Sequence, residues 1–155
     1  MIFMGIKFVE HEPIDFEKVD YKSKILDEIN NGRELNALFF IHSYIEGYLT
    51  QLIFVTGDKE MPKISRDMQD SIDRIGFNDL LHVNAMLGNI NEKLFAKLKI
   101  FNKSRNELVH KIITIDVQSE KTRKKFKRIV IDALEACNNL FEIYKKEIER
   151  KGEQK

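Results

Sequence analysis

Between Leu35 and Ile53 the apolar residues Leu38, Phe39, Ile41, Ile45, Tyr48, Leu49, Leu52 and Ile53 recur at spacings of three and four, until Thr56, Gly57 and Asp58 break the series. That spacing gathers them into one stripe and predicts a long central core helix. Ahead of it, Tyr21 to Asn31 predicts a short helix stopped by Asn30, Asn31 and Gly32, residues that tolerate the left-handed backbone of a helix end. Residues 1–20 show no sustained period and read as an N-terminal arm or loop. Beyond the linker around Pro62, Met68, Ile72 and Ile75 predict a short amphipathic helix ending at Gly76. Leu80, Leu81, Val83, Met86 and Leu87 predict another, with Asn78 as its cap and Gly88 and Asn89 as its stop.

Asn91 is placed to cap the next helix. Along it Leu94, Leu98, Phe101, Arg105, Leu108 and Ile112 step by 4, 3, 4, 3 and 4, the spacing of a single inward seam whose fourth position is an arginine. The β-branched run from Ile112 to Val117 favours an extended connection or a frayed helix end. Phe126, Val130, Ala133, Cys137, Leu140, Tyr144 and Ile148 then define a last long helix reaching about Arg150, followed by a polar tail over residues 151–155. The pattern predicts an all-α protein: a single up-and-down helical bundle of four to five main helices over residues 21–150.

Composition narrows the picture without changing it. Seven Gly and two Pro in 155 residues leave little material for the many tight turns of a sandwich or barrel. Cys137 is the sole cysteine, so no intrachain disulfide forms. No apolar run approaches a membrane span and the start lacks a leader pattern, so the expectation is a soluble cytoplasmic protein with no membrane association. The formal net charge of +1 argues against wholesale polyanion binding, though not against local patches.

A charge at a core-patterned position costs several kcal/mol unless it has a partner or a task. Arg105 is such a residue; it either snorkels along apolar surface or serves a site. Asn106 and His110, four apart, share a face beside it, and Asn102 lies one turn back. A guanidinium, an amide and an imidazole suit attack on a phosphodiester: the imidazole moves a proton near neutral pH and the planar guanidinium holds two phosphate oxygens. On the central helix His42 and Glu46, also four apart, interrupt the apolar stripe. They either pair in a half-solvated face or support the site, with Glu46 holding Arg105 across the bundle. The four histidines His11, His42, His82 and His110 lie far apart, without HExxH or paired cysteines, so neither a metal site nor a cofactor is expected. Lys121, Arg123, Lys124, Lys125, Lys127 and Arg128 put six bases into eight residues. Such a run is either a solvated helix face or a contact surface for a phosphate backbone.

The string Ser104-Arg105-Asn106-Glu107-Leu108-Val109-His110, read as R-N-x-x-x-H on the inner seam of a penultimate long helix, resembles the signature of the HEPN family of small helical bundles. The stretch FIHSYIEGYLTQL, Phe40 to Leu52, resembles that family's long early helix with its acidic residue, and the likeness spans roughly Leu35 to Tyr144. The resemblance implies a homodimer whose motif helices meet in a composite cleft. In many members it also implies a metal-independent endoribonuclease that uses the neighbouring 2′-hydroxyl of RNA. By position His110 would transfer protons, Arg105 would stabilise charge on the scissile phosphate, Asn106 would orient one of them, and Glu46 would support. The partners it implies are RNA and, in a toxin–antitoxin setting, a protein antitoxin that is often nucleotidyltransferase-like. Other relatives resemble non-catalytic regulatory modules of the mannitol-repressor kind.

Overall fold

A computed structural model describes residues 20–57, 71 and 74–153. Five helices have described bounds: α1 (Tyr21–Asn30), α2 (Glu34–Gly57), α3 (Phe77–Met86), α4 (Glu92–His110) and α5 (Glu120–Glu153). No strand occurs among the described residues. The architecture is the all-α bundle that the periodicity predicts. The arm read over residues 1–19, the linker around Pro62 and most of the helix read through Met68 and Ile72 lie outside the described residues.

Helix α2 occupies the centre. Its most extensive contact is with α5, and it also meets α1 and α3, while α4 packs on α3 and α5. The physical reason is the breadth of its apolar surface: Leu38, Ile41, Ile45, Tyr48, Leu49 and Leu52 all have zero exposure. No single neighbour covers so wide a surface. Ile25 of α1, Leu80 and Leu81 of α3, Leu98 of α4, and Phe126, Val130, Cys137 and Leu140 of α5 complete one continuous core. By length and composition α2 is apolar enough to cross a membrane, contrary to the expectation from the sequence. Its covered stripe is that of a core helix.

The helix ends follow local chemistry with three differences from expectation. Asp20 caps α1 by accepting from the Ser23 backbone N–H at 2.9 Å, so it belongs to the bundle rather than to the arm. Gly76, not Asn78, holds the cap position of α3, and Asn78 sits inside the first turn. Helix α5 continues through Glu153, so the tail assigned from residue 151 is largely helical; charged Glu and Lys are good helix formers, and one glycine does not stop it. Asn91 caps α4 as predicted, its Oδ1 accepting from the Leu94 N–H at 2.9 Å. Residues 111–118, read as extended or frayed, form consecutive turns.

Two polar clamps fix the register of α2. At its start the buried Glu34 receives two hydrogen bonds of 3.1 Å from Nε and Nη2 of Arg123 on α5. This arrangement holds the Glu34 carboxyl below the usual carboxylate range, chiefly through the Arg123 hydrogen bonds. Toward its end the fully buried Asn84 of α3 donates to the Leu49 carbonyl at 2.9 Å, and Asn89 donates to Thr56 Oγ1 at 3.0 Å. The turn from α1 into α2 depends on Gly32, whose φ of +71° is left-handed and whose added Cβ would lie 2.7 Å from Arg123 Nη2. Gly32→Ala is therefore expected to lower unfolding stability by about 1–2 kcal/mol from backbone strain, before the displacement of Arg123 is counted. Urea unfolding of the two proteins checks this, with no loss as the contrary result.

Candidate functional site

The polar strip of α4 crosses the open edge of the bundle, facing the first half of α2 and the start of α3. Leu94, Leu98 and Phe101 are buried as the seam requires. Asn102 is also buried, and its Nδ2 donates to Asn78 Oδ1 at 3.0 Å. That bond satisfies a polar group inside the core and ties α4 to α3.

One turn further on, Arg105 is half-buried. Its Nη1 donates to Asn106 Oδ1 at 2.9 Å, while its Nε is buried with no hydrogen-bond partner among the described residues. The guanidinium carbon lies 5.9 Å from the centroid of the Phe39 ring on α2. Among the described residues no carboxylate pairs with Arg105. Glu46 instead approaches His42, Oε2 to Nδ1 at 3.9 Å, a distance too long for a hydrogen bond.

His42 lies against the same arginine. Its ring stacks on Phe77 with centroids 5.0 Å apart and tilts on Phe101 at 6.3 Å. Burial first, and then the Arg105 charge, push its pKa down from 6.5 to about 4. His42 is neutral at physiological pH, so its contact with Glu46 carries no ion-pair attraction there. A neutral imidazole beside a cation leaves Arg105 uncompensated.

His110 ends α4 and is exposed. It shares the strip with Asn106, but no hydrogen bond joins it to Arg105 among the described residues. The structure thus brings Arg105, Asn106 and His42 together, places Asn102 in the core beneath them, and sets His110 at the solvent end of the strip.

The basic run divides. Arg123 is committed to Glu34, Lys124 pairs with Glu120 at 2.7 Å, and Arg128 approaches Asp132 at 3.9 Å. Lys121, Lys125 and Lys127 are exposed. Lys125 and Arg128 join Lys111 around a groove of about 440 Å³ between α4 and α5, floored by Ile100, Leu108, Ile115 and Ile129. Among the described residues no three His, Cys, Asp or Glu side chains gather as metal ligands.

Sequence reasoning missed Phe39 and Phe77 as neighbours of the site. The periodicity puts Phe39 in the apolar stripe, yet it is 39% exposed; its place three and seven residues before the polar His42 and Glu46, on their side of the helix, is the available signal. No signal marked Phe77, which precedes the expected cap. No protein-family model, no curated protein and no solved structure matches the chain.

Two outcomes follow from this geometry. Replacing the arginine removes a charge that has no carboxylate partner among the described residues, so Arg105→Met is expected to leave unfolding stability unchanged or raised by about 1 kcal/mol. A large loss in denaturant unfolding would instead make Arg105 a structural residue. For His42 the depressed folded-state pKa means the unfolded chain binds the extra proton first. Its contribution to stability is full above about 6.5 and is lost as pH falls toward about 4. His42→Gln is expected to shrink the fall in melting temperature across that window, and an identical fall in both proteins would reject the assignment.

Proposed function

We propose that the protein is a HEPN-type, metal-independent endoribonuclease acting as a homodimer. The observation that carries this reading is Arg105: a half-buried cation with an orphaned Nε, no carboxylate partner among the described residues, and one edge held by Asn106. Such a group has been desolvated without a counter-charge, which suits an anion that arrives from outside. A phosphate is that anion. The R-N-x-x-x-H string adds an imidazole at the open end of the same strip.

In this reading the 2′-oxygen attacks the adjacent phosphorus, the bond from phosphorus to the 5′-oxygen breaks, and a 2′,3′-cyclic phosphate and a 5′-hydroxyl result. One imidazole takes the 2′-hydroxyl proton and another returns a proton to the leaving oxygen, the pair being His110 of the two copies. Arg105 offsets the charge that builds on the non-bridging oxygens. Asn106 fixes the guanidinium plane. His42 borders the arginine on α2, with Glu46 in a supporting role one turn further along, and Asn102 anchors the helix beneath it. Lys121, Lys125 and Lys127 add long-range attraction for the RNA backbone, with Lys124 and Arg128 at its edge and Arg123 held back by Glu34. The exposed Ile113, 94% accessible beside His110, suits contact between the two motif ends. The proposed setting that goes with this reading is the cytoplasm, with a protein antitoxin of nucleotidyltransferase-like type as the partner that the family resemblance implies.

A regulatory module acting through protein contacts is the second reading. Ile100, 66% exposed in the lining of the groove between α4 and α5, is the observation that favours it.

The deciding experiment incubates the protein and His110→Ala with mixed RNA in excess EDTA and maps product ends. Cleavage that persists, leaves 2′,3′-cyclic phosphate and falls by about a hundredfold or more in the variant supports the nuclease. Equal inertness of both proteins favours the regulatory module.

A further inference from the structure

Phe39 stands apart from every other aromatic side chain in the bundle. Among the described residues it is the one exposed aromatic, at 39%, although it sits on the core helix beside the wholly buried Leu38. Of the residues one turn away along α2, Asn36 and Ser43 are exposed and polar, whereas Leu35 and His42 are half-buried. The ring is therefore a single exposed apolar target, unlike the broad apolar patch that a folded protein partner covers. Its other neighbour is the Arg105 guanidinium, 5.9 Å from the ring centroid.

Building on the ribonuclease reading, we infer that Phe39 is a stacking platform for an unpaired nucleobase of the RNA whose phosphate Arg105 and Asn106 hold. A nucleotide joins a base to a phosphate through one ribose, and Phe39 and Arg105 are separated by a span of that order. Each half of the nucleotide then meets its match: the anion meets a cation with no carboxylate partner among the described residues, and the base meets the solvent-exposed part of the ring beside that guanidinium. Base stacking on aromatic side chains is tolerant of base identity but requires the base to leave its own helix. A paired strand keeps its bases stacked inside the duplex and cannot offer one to Phe39. The platform thus selects for unpaired nucleotides at the position next to the held phosphate. Phe39 makes no contact with the reacting atoms in this arrangement and acts by positioning the strand.

The test uses the full chain and a dye-labelled six-nucleotide RNA whose riboses are all 2′-O-methylated, so that it binds without being cut. An abasic backbone of the same length is the control. Phe39→Leu keeps apolar bulk at an exposed position and removes the ring face, and Phe39→Trp restores one. Fluorescence anisotropy is expected to show roughly tenfold weaker binding of the base-bearing strand by Phe39→Leu, wild-type affinity in Phe39→Trp, and no change for the abasic strand. Equal affinity of wild type and Phe39→Leu for the base-bearing strand overturns the platform, as does an equal loss on the abasic strand or no binding by wild type. Cleavage of unmodified RNA by wild type is measured in parallel. Binding that follows this pattern without cleavage rejects the nuclease and upholds the platform, whereas cleavage with unaltered binding in Phe39→Leu rejects the platform alone.

Discussion

The breadth of apolar surface on α2 governs how everything else is placed. A helix with one narrow stripe needs one neighbour, but α2 buries Leu38, Ile41, Ile45, Tyr48, Leu49 and Leu52 completely. At roughly 25 cal/mol per Å² of apolar surface removed from water, covering such a helix is the dominant favourable contribution to folding. Helices α1, α3 and α5 are therefore drawn against it from different directions, and α4 closes the gap between α3 and α5. Burial alone leaves the helix free to slide. The paired hydrogen bonds from Arg123 to Glu34 near one end, and the Asn84, Asn89 and Thr56 bonds near the other, set its register.

That register is what creates the site. Because α2 is fixed, Phe39 and His42 come to rest beside Arg105 of α4. Desolvating a guanidinium there is costly, and the surroundings offset it only in part: one hydrogen bond donated to Asn106 and the face of an aromatic ring. His42 adds no negative charge, since burial and Arg105 itself keep its ring neutral. Contrast Arg123 of the basic run, which meets the buried Glu34 carboxylate with the Nε and Nη2 N–H groups of one edge of its guanidinium. One arginine is a fastener and the other is left with binding capacity.

Much of the fold was legible because helix periodicity and end signals are local properties. The bounds of α1 and α2 and the Asn91 cap follow from residues within a few positions of each boundary. Asn78 misled because a cap is chosen by the backbone entering the helix, and Gly76 adopts the extended conformation while Asn78 is engaged by Asn102 from 24 residues away. The same limit applies to the site. The identities of Arg105, Asn106 and His110 are sequence facts, but the lack of a carboxylate beside Arg105 among the described residues and the commitment of Arg123 are tertiary facts. Charge counting along the chain treats the six bases of α5 alike, and only packing separates Arg123 from Lys121, Lys125 and Lys127.

The position of Phe39 shows how function and packing compete within one helix. An apolar ring at 39% exposure forfeits part of the burial energy it would gain one position away, where Leu38 is fully covered. The Arg105 guanidinium recovers some of that loss through cation–π attraction, so ring and charge stabilise each other in the free protein. Neither is fully satisfied by the other: the ring keeps solvent contact and Nε has no acceptor among the described residues. A ligand that supplies both an anion and a flat apolar face relieves the two deficits together. The pair is thus tuned as a unit, and a change at either residue alters the demand left at the other.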